Sequence, residues 1–221
     1  MEALDRSWTN CLRMCKWKDL PWALIVGLAF ILFFMVGIAM SDPTTAPLDN
    51  IVRIHIDSIK EGSCATGFIL EKGRVLTAKH VVQAAKKQLT IRYSNGTIER
   101  VKVKKCRVSK KYDIAEIPVK KDRTGIKLEL SSIHYIGKKI YTSGYPANWG
   151  VLWVTTGIVS SNVTSLPPLK KIFLSDIDAV RGSSGSPVFS YTDKLIGIVS
   201  SKYLCVTAVV STEALEEFLN G

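Results

Sequence analysis

Cysteine and histidine are both scarce in this chain, with five and three copies in 221 residues. Cys11 and Cys15 stand near the N-terminus, as reduced thiols or as sites of acylation beside a membrane. Cys64, Cys106 and Cys205 remain for the rest, an odd number that cannot all pair within one chain. One disulfide among them is possible and none is required. No internal repeat recurs at a fixed period, which sets repeat architectures aside. Acidic residues are few as well, 19 Asp and Glu against 30 Lys and Arg, for a net charge of +11. The excess is concentrated between Lys72 and Lys139, where 19 basic residues meet 5 acidic ones. Clusters such as KVKKCR suit an anionic lipid surface first and an acidic protein second. They lack the interleaved aromatics of a nucleic-acid platform, so no nucleic acid is expected as a partner.

Charge is missing altogether from Trp22 to Met40, WALIVGLAFILFFMVGIAM, a run of nineteen residues that just suffices to cross the hydrocarbon core as a helix. A signal-peptide core is shorter, and the exit GIAMSDP offers no clean small-x-small cleavage site, so a retained anchor is expected over a cleaved signal. Arg6, Arg13, Lys16 and Lys18 precede the run, and only Arg53 and Lys60 follow it closely, which places residues 1–21 in the cytoplasm and the long C-terminal part across the membrane. The sequons at Asn95 and Asn162 matter only in a eukaryotic secretory pathway.

Residues 41–50, SDPTTAPLDN, read as a polar linker that cannot continue the helix. From Ile51 onward short apolar or alternating runs are separated by turn residues: IVRIHID, ATGFIL, VLTA, LTIRY, IERVKVKKCRV, then KKIYTSGYP, VLWVTTGIV, KIFLSDI, SPVFS, LIGIVSS and VTAVV. So many short strands predict an all-β domain over 51–221. The stretch 120–132 breaks the alternation and divides the strands into groups at about 51–121 and 131–212. STEALEEFLN, with Leu215, Phe218 and Leu219 at helical spacing, predicts a terminal helix over 212–220.

One loop, RGSSGSPVF (181–189), is either a flexible connection or the seat of a nucleophile. A serine hydroxyl needs an imidazole base, a carboxylate to orient that base and amide donors for the oxyanion. His80 lies in VLTAKHVV where a strand run ends, Asp113 in YDIAEI just before another run, and Ser184 in the glycine-serine loop. His55, in an alternating strand, and His134, in the connecting stretch, are assigned structural or solvated roles.

LTAKH, YDIAEI and GSSGSP, in this order, resemble the motifs of the trypsin-like serine peptidases, nearest in pattern to the HtrA-like and glutamyl-endopeptidase-like members, and the resemblance covers roughly 50–219. It implies two six-stranded antiparallel β-barrels, peptide-bond hydrolysis through an acyl-enzyme, a polypeptide substrate and no cofactor. It also implies Ser184 as nucleophile, His80 as general base and then acid, and Asp113 as the partner that fixes the imidazole. Gly182 and Gly185 would shape the turn that aims the Gly182 and Ser184 amides at the oxyanion. Asp178, six residues before Ser184, stands where a carboxylate confers cleavage after Lys or Arg, although Asp176 competes for that role. Ser200 and Ser201 would offer backbone hydrogen bonds to an extended substrate.

Two departures matter. Ser183 replaces the aspartate that pairs with a freed N-terminus in digestive zymogens, so no cleavage near Ile51 is expected for activity. Val81 replaces the common cysteine after the histidine, which removes a familiar staple. Two other functions fit the same chain: a catalytically silent peptide- or partner-binding module of this fold, and a viral or phage protease that processes its own polyprotein.

Overall fold

The computed structural model describes residues 48–57, 63–70, 73–119, 125–126, 136–162 and 165–221, all within the unit Thr45–Gly221. The run 22–40, its cytoplasmic flank, most of the linker and His134 lie outside the described residues. Among the described residues, no helix is long and apolar enough to cross a membrane.

A 3-10 turn, Leu48–Asn50, leads into the first group of strands: β1 (Ile51–Ile56), β2 (Cys64–Leu70), β3 (Arg74–Thr77), β4 (Gln88–Arg92), β5 (Ile98–Lys102), β6 (Arg107–Val108) and β7 (Ala115–Pro118). Helix α1 (Lys79–Ala84) interrupts them after β3. They form one antiparallel sheet in the order β5-β4-β1-β2-β3-β7-β6. β4 alternates as a half-buried strand should, with Leu89 and Ile91 inside and Gln88 and Arg92 outside. β1 and β2 do not alternate, because both of their faces are covered. Val52, Ile54 and Ile69 pack with Val75, Leu89, Ile91 and Ile117 inside this half. Ile51, Phe68 and Leu76 instead join Tyr141, Phe189, Ile198 and Phe218 of the other half in a shared cluster. A continuous apolar run is how a doubly buried strand looks in sequence.

The second group comprises β8 (Lys139–Gly144), β9 (Trp153–Ser161), the small hairpin β10 (Ser165–Leu166) and β11 (Leu169–Lys170), β12 (Ile172–Ser175), β13 (Pro187–Ser190), β14 (Leu195–Tyr203) and β15 (Val206–Ser211). Six of them close into a barrel in the order β12-β15-β14-β13-β8-β9. Ile140, Val159, Phe173, Val188, Val199 and Val209 fill it. Helix α2 (Thr212–Asn220) lays Ala214, Leu215 and Phe218 on the cluster between the halves.

The architecture is thus all-β, with one correction to the expected pair of six-stranded barrels. The first half has seven strands and, among the described residues, does not close: β5 pairs only with β4, and β6 only with β7. The reason is local, since the Val103–Lys105 3-10 turn consumes the ladder after β5 and leaves β6 two residues long. Cys64, Cys106 and Cys205 are all free thiols.

Candidate active site

β3 runs out at Thr77, and Ala78 in extended conformation starts α1, so His80 is carried on the first turn of a helix fixed to the end of a buried strand. Asp113 stands in the bend before β7, the strand that pairs with β3. The His80 amide donates to Asp113 Oδ1 at 3.0 Å, and its Nδ1 donates to Oδ2 at 2.9 Å. An ionised carboxylate only accepts, so Nδ1 carries a ring proton directed at Asp113 and Nε2 points away from it. The Ser200 hydroxyl, from β14 in the other half, donates to Asp113 Oδ2 as well. Burial pushes the Asp113 carboxyl up, but the hydrogen bond and charge of His80, the Ser200 hydroxyl and the His80 amide together hold it below its ordinary value. The result is a fixed negative charge behind a half-exposed imidazole.

The 181–186 loop is shaped by two glycines with positive φ, Gly182 at 96° and Gly185 at 86°. Neither has room for a side chain. A Cβ on Gly182 would fall 2.5 Å from the Tyr145 carbonyl, and one on Gly185 would fall 2.2 Å from the Thr66 carbonyl and 2.3 Å from Thr77 Oγ1. The Arg181 carbonyl accepts from the Ala147 amide at 2.6 Å, and a planar trans peptide then turns the Gly182 N–H the opposite way. The Ser183 carbonyl accepts from Ser186 at 3.0 Å, which turns the Ser184 N–H away from it by the same rule. Neither amide has a hydrogen-bond acceptor among the described residues, as an oxyanion site requires.

Ser184 itself presents its hydroxyl to the Ser200 carbonyl at 3.2 Å. Among the described residues no hydrogen bond joins it to His80 in this state. Both side chains nevertheless line the same two clefts. One, of about 360 Å³, is walled by Ala179, Val180, Arg181, Val199, Ser201 and Lys202. The other, of about 540 Å³, extends past Cys64, Ala65, Ala84 and Ala147.

The remaining expected residues fall as follows. Ser200 and Ser201 line the first cleft, and Ser200 also holds Asp113. Asp178 does not line it: its side chain is 74% exposed and pairs with Lys202 Nζ at 2.5 Å. Asp176 Oδ1 accepts from the Ile158 amide at 2.6 Å. The carboxylate expected to read a basic substrate residue thus stands beside the cleft, paired with Lys202, because counting back from Ser184 fixes a backbone position but not the direction of the side chain. His55 is partly buried on β1, and burial with Arg53 and Arg92 nearby lowers its basicity.

Thr66 was not singled out by the sequence, yet it ties the halves together. Its amide donates to the Ser184 carbonyl at 3.0 Å, its hydroxyl donates to the Gly182 carbonyl at 2.8 Å, and the same oxygen accepts from the Tyr145 amide at 2.9 Å. The only local signal was a hydroxyl inside the otherwise apolar stretch ATGFIL.

The family model of the trypsin-like peptidase domain matches residues 65–198. A search among curated proteins finds no match. Among solved structures, the serine endoprotease from Yersinia pestis is 21% identical with a TM-score of 0.64, over 78% of this chain and 64% of that one. The HtrA-type protease AlgW with tripeptide is 20% identical with a TM-score of 0.70, over 80% of this chain and 61% of that one. At such identity the likeness is one of fold, and this chain spans less than two thirds of either structure's length.

Proposed function

The chain belongs to the trypsin-like peptidase family of serine endopeptidases, and on that premise we propose that it cleaves peptide bonds through an acyl-enzyme on Ser184. One observation carries the assignment: an imidazole whose Nδ1 is held by an ionised carboxylate opens on the same cleft as a serine backed by two amides that have no acceptor among the described residues.

In this reading Ser184 rotates about χ1 from the Ser200 carbonyl to His80 Nε2. Its oxygen attacks the substrate carbonyl carbon while the proton passes to Nε2, and the Gly182 and Ser184 amides receive the developing oxyanion. Asp113 stabilises the imidazolium, which then protonates the departing amine. Water then attacks the acyl carbon as its proton passes to His80; the ester bond to Ser184 breaks, the serine oxygen takes that proton back, and the acid is released. The substrate strand pairs along β14 at Ser200 and Ser201, beyond the point where β13 ceases to cover that edge.

The cleft supports a small or apolar residue before the scissile bond rather than Lys or Arg, since its walls are Ala179, Val180 and Val199 and its charged members, Arg181 and Lys202, are cationic. A positional peptide library is expected to show that preference, and a dominant Lys or Arg would overturn it. Ile51 is fully buried and paired with Phe68, which favours activity without cleavage there. Anchoring through 22–40, with the peptidase domain on the translocated side, rests on the uncharged run and its basic flank.

The test is labelling of the full chain with a fluorophosphonate probe. Wild type and Ser183→Ala are expected to label and Ser184→Ala to stay dark. A dark wild type would overturn the reading in favour of the silent binding module, for which the Ser184 to Ser200 hydrogen bond is the supporting observation.

A further inference from the structure

From Ile140 to Leu169 the chain carries no Asp, Glu, Lys or Arg, although its net charge is +11. The stretch is bracketed by the exposed Lys138 and Lys139 on one side and the exposed Lys170 on the other. Its core is the β8–β9 hairpin, whose tip holds four large apolar side chains in the open: Trp149 is 63% exposed, Val151 60%, Trp153 41% and Val154 51%. The two indole rings lie 4.8 Å apart, centroid to centroid, so they form one exposed surface rather than scattered residues. Neither indole lines the clefts around Ser184.

The position of the tip names its occupant. Gly150, with φ of 75°, lies against the Arg53 guanidinium, where a Cβ would stand 3.1 Å from Nη1. Arg53 is the third residue of β1, immediately after the linker 41–50, and ten residues reach at most about 35 Å. Tryptophan prefers the boundary between headgroups and acyl chains, and flanking lysines prefer anionic headgroups.

We propose that the Trp149–Val154 tip is a membrane-docking surface, seated at the headgroup boundary of the bilayer that 22–40 crosses, with Lys138, Lys139 and Lys170 over the headgroups. This rests on the anchored reading given above. Such docking fixes the domain's height and tilt, so that the clefts face substrates presented near the membrane.

The test uses the full chain with Trp8, Trp17 and Trp22 changed to Phe, which leaves Trp149 and Trp153 as the only tryptophans. It is reconstituted in phosphatidylcholine vesicles, with and without phosphatidylglycerol, made from lipids brominated along the acyl chain. The expected result is blue-shifted emission quenched to roughly half by bromine, more strongly with phosphatidylglycerol. Val151→Asp and Val154→Asp, at exposed positions, are expected to abolish the quenching while fluorophosphonate labelling persists. Vesicle-bound protein with unshifted, unquenched emission overturns the docking and leaves the anchor standing. Protein that does not bind vesicles overturns both. Quenching unchanged by the aspartates, or a dimer that covers the tip in detergent, also overturns it. None of these outcomes depends on the peptidase assignment, which the labelling reads separately.

Discussion

The two halves contribute to the site in different ways. The first half supplies His80 on α1, just past the end of β3, and Asp113 in the bend before β7, the strand paired with β3, and joins them through both the backbone and the ring of the histidine. The barrel supplies Ser184 on a loop that owes its place to the other half, because Thr66 of β2 grips the loop at Gly182 and Ser184. The proposed acid-base pair is therefore carried by one half, whereas the loop of the proposed nucleophile and oxyanion amides is held from both halves.

Breaking the pair within the first half should have the largest effect. Asp113→Asn leaves the geometry and reverses the imidazole tautomer, and kcat is expected to fall about 10⁴-fold with the fold intact. Steady-state kinetics beside circular dichroism checks this. Cutting the grip between halves comes next. Thr66→Val keeps the shape but strands the Gly182 carbonyl and the Tyr145 amide, which should lower stability by about 2–4 kcal/mol and kcat about 10²-fold. The resonance of the His80 Nδ1 proton, observed by NMR, should stay where it is; if it moves, the halves are not independent in the way described.

Ser200→Ala sharpens the comparison, since Ser200 is the barrel's hand on the acid-base pair. The Asp113 carboxyl lies below its ordinary 3.8 in the folded state, so its contribution to stability is whole above that pH and is lost as pH falls through the folded value. Without the Ser200 hydroxyl the folded value rises. Acid unfolding should then begin at higher pH, and kcat should drop roughly tenfold. The smallest effect concerns α2. Lys111, Lys171 and Tyr112 hold the Glu217 carboxyl at about 2 against an ordinary 4.5, so its stabilising part is present above 4.5 and drains towards pH 2. Glu217→Gln should flatten that limb of the acid titration and lower stability slightly at neutral pH, the pairs being exposed, while leaving kcat unchanged.

The triad candidates were legible because each sits at a chain feature with a local signature: a strand that ends in small residues, an aspartate before an apolar run, and a turn that only glycine can make. Strands such as LTIRY were legible for the same reason, since Leu89 and Ile91 alternate with exposed residues. What escaped the sequence depends on partners far along the chain. Thr66 acts on Gly182, 116 residues away, and Asp178, between β12 and β13, pairs with Lys202 of β14. The open edge of the first sheet escaped too, because closure depends on how many residues a short turn consumes. β10 and β11, two residues each around Pro167 and Pro168, are too short for any periodicity to show.

The hydrogen bond from Ser184 to the Ser200 carbonyl has a practical consequence for inhibitor chemistry. In the proposed reading the Ser184 hydroxyl rests on an acceptor that belongs to the β14 edge, where a bound strand would place its own amide. A ligand whose N–H takes that carbonyl would free the serine hydroxyl to turn towards the imidazole that lines the same cleft. An electrophile built on such a scaffold would arm its target by binding, whereas one that reaches only the apolar walls of the cleft would meet a serine still at rest.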